Sequence, residues 1–283
     1  MKFGIGSTLL SLTLAIGAGG CRLPEVVSDG TDPKISVFAW SIEGVAKQKG
    51  ISIAAAADRL KAEGISGFDA AYDDPKLDEY AATGLEPVSL YGFFRFLEAD
   101  GAKSACDACV ATAVRHGVPL IMCIPQDFTD GKDNEAEMRR FVEGLRYLAD
   151  AAGRFGIKVM VENFGMTGNP GSYIKKIRRF LREVPGLCLA LDSGNLYYAN
   201  RGETALELMS LEKERIAHVH LKDFAEDHRT YVTLGRGRVG NRDFVAALRG
   251  LGYGGWFSLE NLVGDDELED AARQSGVLRF WFR

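Results

Sequence analysis

The sequence predicts a single (β/α)8 barrel, and three observations predict it. Eight short apolar, strand-like runs recur between residues 35 and 261. Helical patterns separate most of them, the alternation that packs helices around a parallel sheet. The segment after the first run, SIEGVAKQKG, lacks the glycine-rich turn that a doubly wound open sheet normally places there. At 283 residues and 46% hydrophobic, the chain is long enough for one large core.

The first segment differs from the rest. After Lys2, residues 3–20 carry no charge, and Cys21 follows. The Leu-rich centre around 8–16 has the length of a signal-peptide core. Residues 18–21, AGGC, resemble a bacterial lipobox with Ala18 where Leu is usual, which makes Cys21 a candidate lipid anchor. Residues 1–33 are therefore expected to be a leader and polar tether, and residues 34–283 the catalytic domain. The expected location is the cell envelope or periplasm, or the cytoplasm if the leader is not a signal.

Strands are expected at 35–40, 67–72, 86–93, 118–125, 158–164, 187–192, 216–222 and 255–261, each a short apolar run. Helices are expected at 52–63, 134–155, 171–184, 203–214 and 243–251. The first has Ala and Leu at 3–4 spacing behind Ser52, a good N-cap, and the second is long and amphipathic. Gly64, Gly117, Gly156, Pro185 and Gly252 punctuate helix ends. Cys106 and Cys109 form a CxxC inside the helical pattern SACDACVATAVRHG, with no second pair to complete a zinc site. Whether they bridge is open at this level.

Four runs end in side chains that bind metals: VMVENF with Glu162, LALDSGN with Asp192, HVHLKD with His220 and FSLEN with Glu260. Side chains alternate along a strand, so Met160 shares a face with Glu162, and Ala190 with Asp192. His218, His220 and Lys222 share another face, as do Ser258 and Glu260. All four candidates can point at the barrel axis near the strand C-termini, where such barrels carry their chemistry. Buried carboxylates repel one another unless a cation intervenes. Three carboxylates and an imidazole suit one divalent ion, Mn²⁺, Mg²⁺, Co²⁺ or Zn²⁺, and place two glutamates beside whatever it binds.

These residues, in this order, resemble the xylose isomerase-like TIM-barrel superfamily of sugar phosphate isomerases and epimerases. The matching pieces are Glu162-Asn163, Asp192-Ser-Gly-Asn195, His218-Val-His220-Leu-Lys222-Asp223, and the tail LGRGRVGNRDFVAALRGLGYGGWFSLEN from Leu234. The resemblance implies Glu162, Asp192, His220 and Glu260 as metal ligands. It also implies that Glu162 and Glu260 exchange protons with the substrate. Two departures narrow the match. Asn195 stands where epimerases often have His, and Gly235-Arg236-Gly237 replaces a common Gly-Glu-Gly. The Lys222-Asp223 pair resembles inosose-dehydratase-like members more than ketose epimerases.

Asn195, Lys222, Trp40, Tyr91 and Arg236 are candidate substrate-binding residues. Tyr72, Phe93 and Phe94 end strands near Trp40 and Tyr91 and are weaker candidates. His218 is expected to pack behind His220. The leading expectation is an isomerase or epimerase that removes a proton next to a carbonyl and passes through an enediolate. The first alternative is an inosose-dehydratase-like or keto-glycoside dehydratase or lyase on the same barrel. A second is a non-catalytic carbohydrate-binding barrel. An endonuclease IV-like activity is disfavoured by only four His and a net charge of −5, which also argues against nucleic-acid partners. The expected partner is a small sugar or sugar derivative, and a homo-oligomer is compatible with the sequence.

Overall fold

The computed structural model describes residues 32–283. Residues 1–31 of the expected 1–33 leader and tether, Cys21 included, lie outside the described residues.

Ten strands form in chain order: β1 (Lys34–Phe38), β2 (Gly67–Ala71), β3 (Glu86–Phe94), β4 (Leu120–Pro125), β5 (Lys158–Glu162), β6 (Cys188–Asp192), β7 (Ile216–Leu221), β8 (Asp223–Phe224), β9 (Tyr231–Val232) and β10 (Trp256–Leu259). Eight of them close a barrel in the order β1-β10-β7-β6-β5-β4-β3-β2, and every neighbouring pair is parallel. This is the expected single-domain TIM barrel. β8 and β9 make a small antiparallel hairpin beyond the end of β7.

Alternation along the strands divides the core. One set, including Ile35, Val37, Phe68, Ile121, Val161, Leu189 and Phe257, packs between sheet and helices. A smaller set fills the barrel interior from Met122, Met160, Cys188 and Ala190. Met160 and Ala190 lie where parity places them, directly below Glu162 and Asp192. Helix starts follow local chemistry. Ser52 Oγ accepts the Ala55 amide at 3.2 Å, and Asn134 Oδ1 accepts the Ala136 amide at 2.9 Å.

Three sequence expectations need correction. Trp40 does not end a strand: β1 stops at Phe38, and the helix Ala39–Lys49 begins at once. Its apolar residues Ile42, Val45 and Ala46 continue the apolar run of β1, which hid the change of period. Phe94 is buried against Tyr72 and Phe96 in the sheet–helix core, so neither Tyr72 nor Phe94 faces the barrel mouth. The helices Leu77–Ala81, Asn195–Ala199 and Glu267–Phe282 and the β8–β9 hairpin also went unread. Cys106 and Cys109 are free thiols, buried in the helix Lys103–His116. Burial pushes the Cys106 thiol up to about 12, so it is not a reactive thiolate. No helix among the described residues is long and apolar enough to cross a membrane.

Candidate metal and active site

The four expected residues meet at the C-terminal mouth. Glu162 ends β5, Asp192 ends β6, His220 lies near the end of β7, and Glu260 follows β10. One donor atom from each lies within 4.8 Å of the others. His220 Nδ1 is 2.8 Å from Glu162 Oε1, 3.8 Å from Glu260 Oε2 and 4.0 Å from Asp192 Oδ2.

Each carboxylate is divided between a structural partner and this shared space. Asp192 Oδ1 accepts the amides of Gly194 and Asn195 at 2.8 and 2.6 Å, which starts the short helix Asn195–Ala199. Its Oδ2 is buried with no hydrogen-bond partner among the described residues. Glu260 Oε1 takes the Lys222 ammonium at 2.5 Å, while Glu260 Oε2 is buried with no hydrogen-bond partner among the described residues. Asn163 clamps the backbone of Asp192 from β5: its Nδ2 donates to the Asp192 carbonyl at 2.9 Å, and its Oδ1 accepts the Asp192 amide at 2.8 Å. Two adjacent strand ends are thereby locked in register.

The electrostatics are those of a site short of positive charge. Burial and the charge of Glu260 push the Glu162 carboxyl up to about 8, against the pull of Lys222 and His218. Burial drives Asp192 upward too, despite Lys222. Glu260 goes the other way: burial opposes its ionisation, but Lys222 and His220 outweigh burial and lower its pKa. Lys222 is itself raised, because its acidic neighbours outweigh its burial. Buried carboxylate oxygens without a hydrogen bond among the described residues, converging with one imidazole nitrogen, fit a divalent cation. Glu162, Asp192, His220 and Glu260 are the residues that would hold it.

The expected neighbours are placed unequally. Lys222 is buried between Glu260 and Asp192, 3.3 Å from Asp192 Oδ2. Asn241 Nδ2 holds the Lys222 carbonyl at 3.0 Å. Gly194 is required here, because a Cβ would lie 2.6 Å from Lys222 Cγ. Asn195 is buried, and its Nδ2 has no hydrogen-bond partner. The Phe38 ring meets the His220 ring at 5.2 Å, Trp40 stacks on Phe38 at 4.1 Å, and Tyr91 closes the group at 5.5 Å from Phe38. Trp40 is 44% exposed, so this aromatic wall runs from the cluster to the surface. Phe93, on the same face of β3 as Tyr91, is exposed and meets the Phe164 ring at 5.9 Å.

Arg236 is exposed and joins none of these contacts. Its loop is instead shaped by Asp223, whose carboxylate accepts the amides of Gly235, Gly237 and Val239 at 2.9, 3.0 and 3.2 Å. Gly237 is obligatory because a Cβ would lie 2.2 Å from Asp223 Oδ1.

The family model of the xylose isomerase-like TIM barrel matches residues 48–279. The chain belongs to the xylose isomerase-like TIM-barrel family. Among relatives, an inosose dehydratase of Clostridium perfringens is 33% identical over 135 residues, 47% of this chain and 42% of that protein. The chain matches about half the length of the curated relatives it resembles. The fold is shared with the probable 3-DHS dehydratase AsbF of Bacillus anthracis, at TM-score 0.72 and 15% identity over 87% of this chain and 98% of that one. It is also shared with a D-allulose 3-epimerase of Methylomonas sp., at TM-score 0.68 and 18% identity over 92% and 99%. Within this barrel, the buried cluster is consistent with a divalent-metal site.

His218, expected behind His220, is there: the two rings meet edge to face at 4.9 Å. Its partner was not foreseen. His218 Nε2 is 3.0 Å from Asp69 Oδ1, and the Asp69 carboxylate accepts hydrogen bonds from Ser36, Ser89 and Ser258. A lone acid in the apolar run GFDAA was the available signal for Asp69. Asn163 belongs to the Glu162-Asn163 piece read from the sequence, but its clamp on the Asp192 backbone has no signal there.

Proposed function

We propose that this protein is a divalent-metal-dependent dehydratase, a lyase acting on a cyclic keto-polyol or a related keto-sugar. The observation that carries the reading is the inequality of the two glutamates. Lys222 grips Glu260 at 2.5 Å, whereas Glu162 faces His220 and takes no lysine. Epimerisation by two carboxylates is best served by groups that can exchange roles. Elimination needs one base and one acid, which is what an unequal pair supplies. Similarity to inosose dehydratases supports the same reading over the isomerase preferred from sequence alone.

The chemistry a divalent cation supplies when held by Glu162, Asp192, His220 and Glu260 is polarisation of a carbonyl and its adjoining hydroxyl. Glu260, kept ionised by Lys222, accepts the proton from the carbon next to the carbonyl. The C–O bond of the β-hydroxyl then breaks as the new C=C bond forms. Glu162, which carries no lysine partner, supplies a proton to the departing oxygen so that the hydroxyl leaves as water. In this reading the Lys222 ammonium and the Asn195 amide bind substrate oxygens, supported by the burial of both beside the cluster. Trp40 and Tyr91 offer a wall for the apolar face of a ring.

The test is a panel of inososes, ketoses and keto-glycosides with added Mn²⁺, Mg²⁺, Co²⁺ or Zn²⁺ in D2O. Loss of water with formation of an enone, followed by ultraviolet absorption and mass spectrometry, is expected. Deuterium uptake without loss of water would replace the dehydratase with an epimerase or isomerase. No exchange with any metal or substrate would leave a carbohydrate-binding barrel.

A further inference from the structure

We propose that Asp69 is a positioning residue for the metal cluster, acting from one layer deeper in the barrel through His218 and Ser258. The proposal rests on the metal reading above, and three observations carry it.

First, Asp69 reaches far from its own strand. It sits on β2, yet its carboxylate accepts Ser36 on β1 at 2.8 Å, Ser89 on β3 at 2.6 Å and Ser258 on β10 at 2.8 Å. It also meets His218 on β7 at 3.0 Å. Those are five consecutive strands of the closed barrel. All five side chains are buried to within 1% of full enclosure.

Second, two of those contacts lie directly beneath cluster residues. Ser258 precedes Glu260 by two residues and His218 precedes His220 by two, so each pair shares an inward face. β7 and β10 are also neighbours, with His220 opposite Ser258. One carboxylate therefore ties together the two strands that deliver His220 and Glu260.

Third, His220 lacks the usual means of orientation. A metal-binding histidine almost always donates its other ring N–H to a carboxylate, a carbonyl or water. Here Nδ1 faces the cluster, and Nε2 is buried with no hydrogen-bond partner among the described residues. The ring is held instead between the Phe38 ring at 5.2 Å and the His218 ring at 4.9 Å, both nearly perpendicular to it. His218 Nε2 in turn lies against Asp69 Oδ1 at 3.0 Å, a close polar contact between buried groups. Packing of one imidazole on another does the work that a direct hydrogen bond does elsewhere, and Asp69 anchors it.

The test compares metal binding by the intact protein and three variants, using Mn²⁺ calorimetry and the visible spectrum of the Co²⁺-loaded protein. Asp69→Asn is expected to weaken Mn²⁺ by roughly 10-fold or more, the scale on which partners of metal ligands act, and to shift the Co²⁺ bands. Should Asp69→Asn fail to fold, Ser258→Ala and Ser89→Ala carry the test. Each removes one hydroxyl from Asp69, but only Ser258 lies beneath a cluster residue. Weaker metal binding and shifted Co²⁺ bands in Ser258→Ala, with Ser89→Ala close to the parent, are expected. Equal metal affinity and identical Co²⁺ spectra in Ser258→Ala and the parent would overturn the positioning role alone. No Mn²⁺ or Co²⁺ binding by the parent would overturn the metal reading, and this proposal with it.

Discussion

Two polar layers are stacked inside one barrel, and they resolve their charges in opposite ways. In the lower layer a single carboxylate, Asp69, meets three hydroxyls and an imidazole. Burial works against its ionisation, yet His218, His220 and Ser89 hold it down to about 2. In the upper layer three carboxylates share one ammonium and one imidazole, and two carboxylate oxygens have no hydrogen-bond partner. Glu162 is pushed up to about 8 there. The same residue types give one carboxylate saturated by hydroxyl donors below and several carboxylates short of donors above. Burial alone does not mark a functional site. Burial with a specific shortage does.

The largest expected effect breaks the upper layer at its chemistry. Glu260→Gln keeps the size of the side chain but removes the base. Turnover and deuterium exchange should fall on the order of 10³-fold, within the range of general acid–base contributions. Circular dichroism should be unchanged. Exchange at the parental rate would take Glu260 out of the proton transfer.

Lys222→Met sharpens the comparison by deepening the shortage. Removing one partner from a buried ion pair costs about 3–5 kcal/mol. Metal-free Lys222→Met should lose stability on that scale, measured by urea unfolding. Saturating Mn²⁺ should restore more stability to it than to the parent, since the cation then supplies the missing charge. An equal gain in both proteins would mean that Lys222 and the cation do not answer the same need.

Much of the upper layer was legible in the sequence, and little of the lower. Glu162, Asp192, His220 and Glu260 each end an apolar run, and strand alternation is strict enough to aim them. Lys222 was legible as a neighbour of His220, but its grip on Glu260 was not, because that depends on β7 and β10 lying side by side. Asp69 escaped for the same reason. Its partners come from four other strands, at separations of 33, 20, 189 and 149 positions in the chain. Trp40 was rightly sensed near the mouth but assigned to a strand, since helix and strand meet there without a break in hydrophobicity. Arg236 was drawn in by its place on a glycine-rich loop, whereas the loop is built around Asp223.

Acid should unpick the lower layer selectively. The Asp69 pKa falls from an ordinary 3.8 to about 2 on folding. A depressed carboxylate contributes stability that is present above its unfolded value and lost as pH falls through its folded value. Asp69→Asn has no such contribution. The stability gap between parent and Asp69→Asn should therefore be constant above about pH 5 and narrow by about 2 kcal/mol between pH 4 and pH 2. Denaturant titrations at pH 6, 4 and 3 would follow it. A gap independent of pH would mean that the Asp69 charge adds nothing to the network.

The smallest effect calibrates the others, because it lies outside both layers. Asn134 caps the helix Glu135–Gly153, its Oδ1 accepting the amides of Ala136 and Glu137 at 2.9 and 3.3 Å. Asn134→Ala should cost about 1 kcal/mol, the usual worth of such a cap. That loss should be the same with and without Mn²⁺ and the same at pH 6 and pH 4, because no cluster residue and no Asp69 contact depends on it. A cap loss that changed with metal would show the two layers coupled to the helix shell, and every metal-dependent difference above would then have to be measured relative to it.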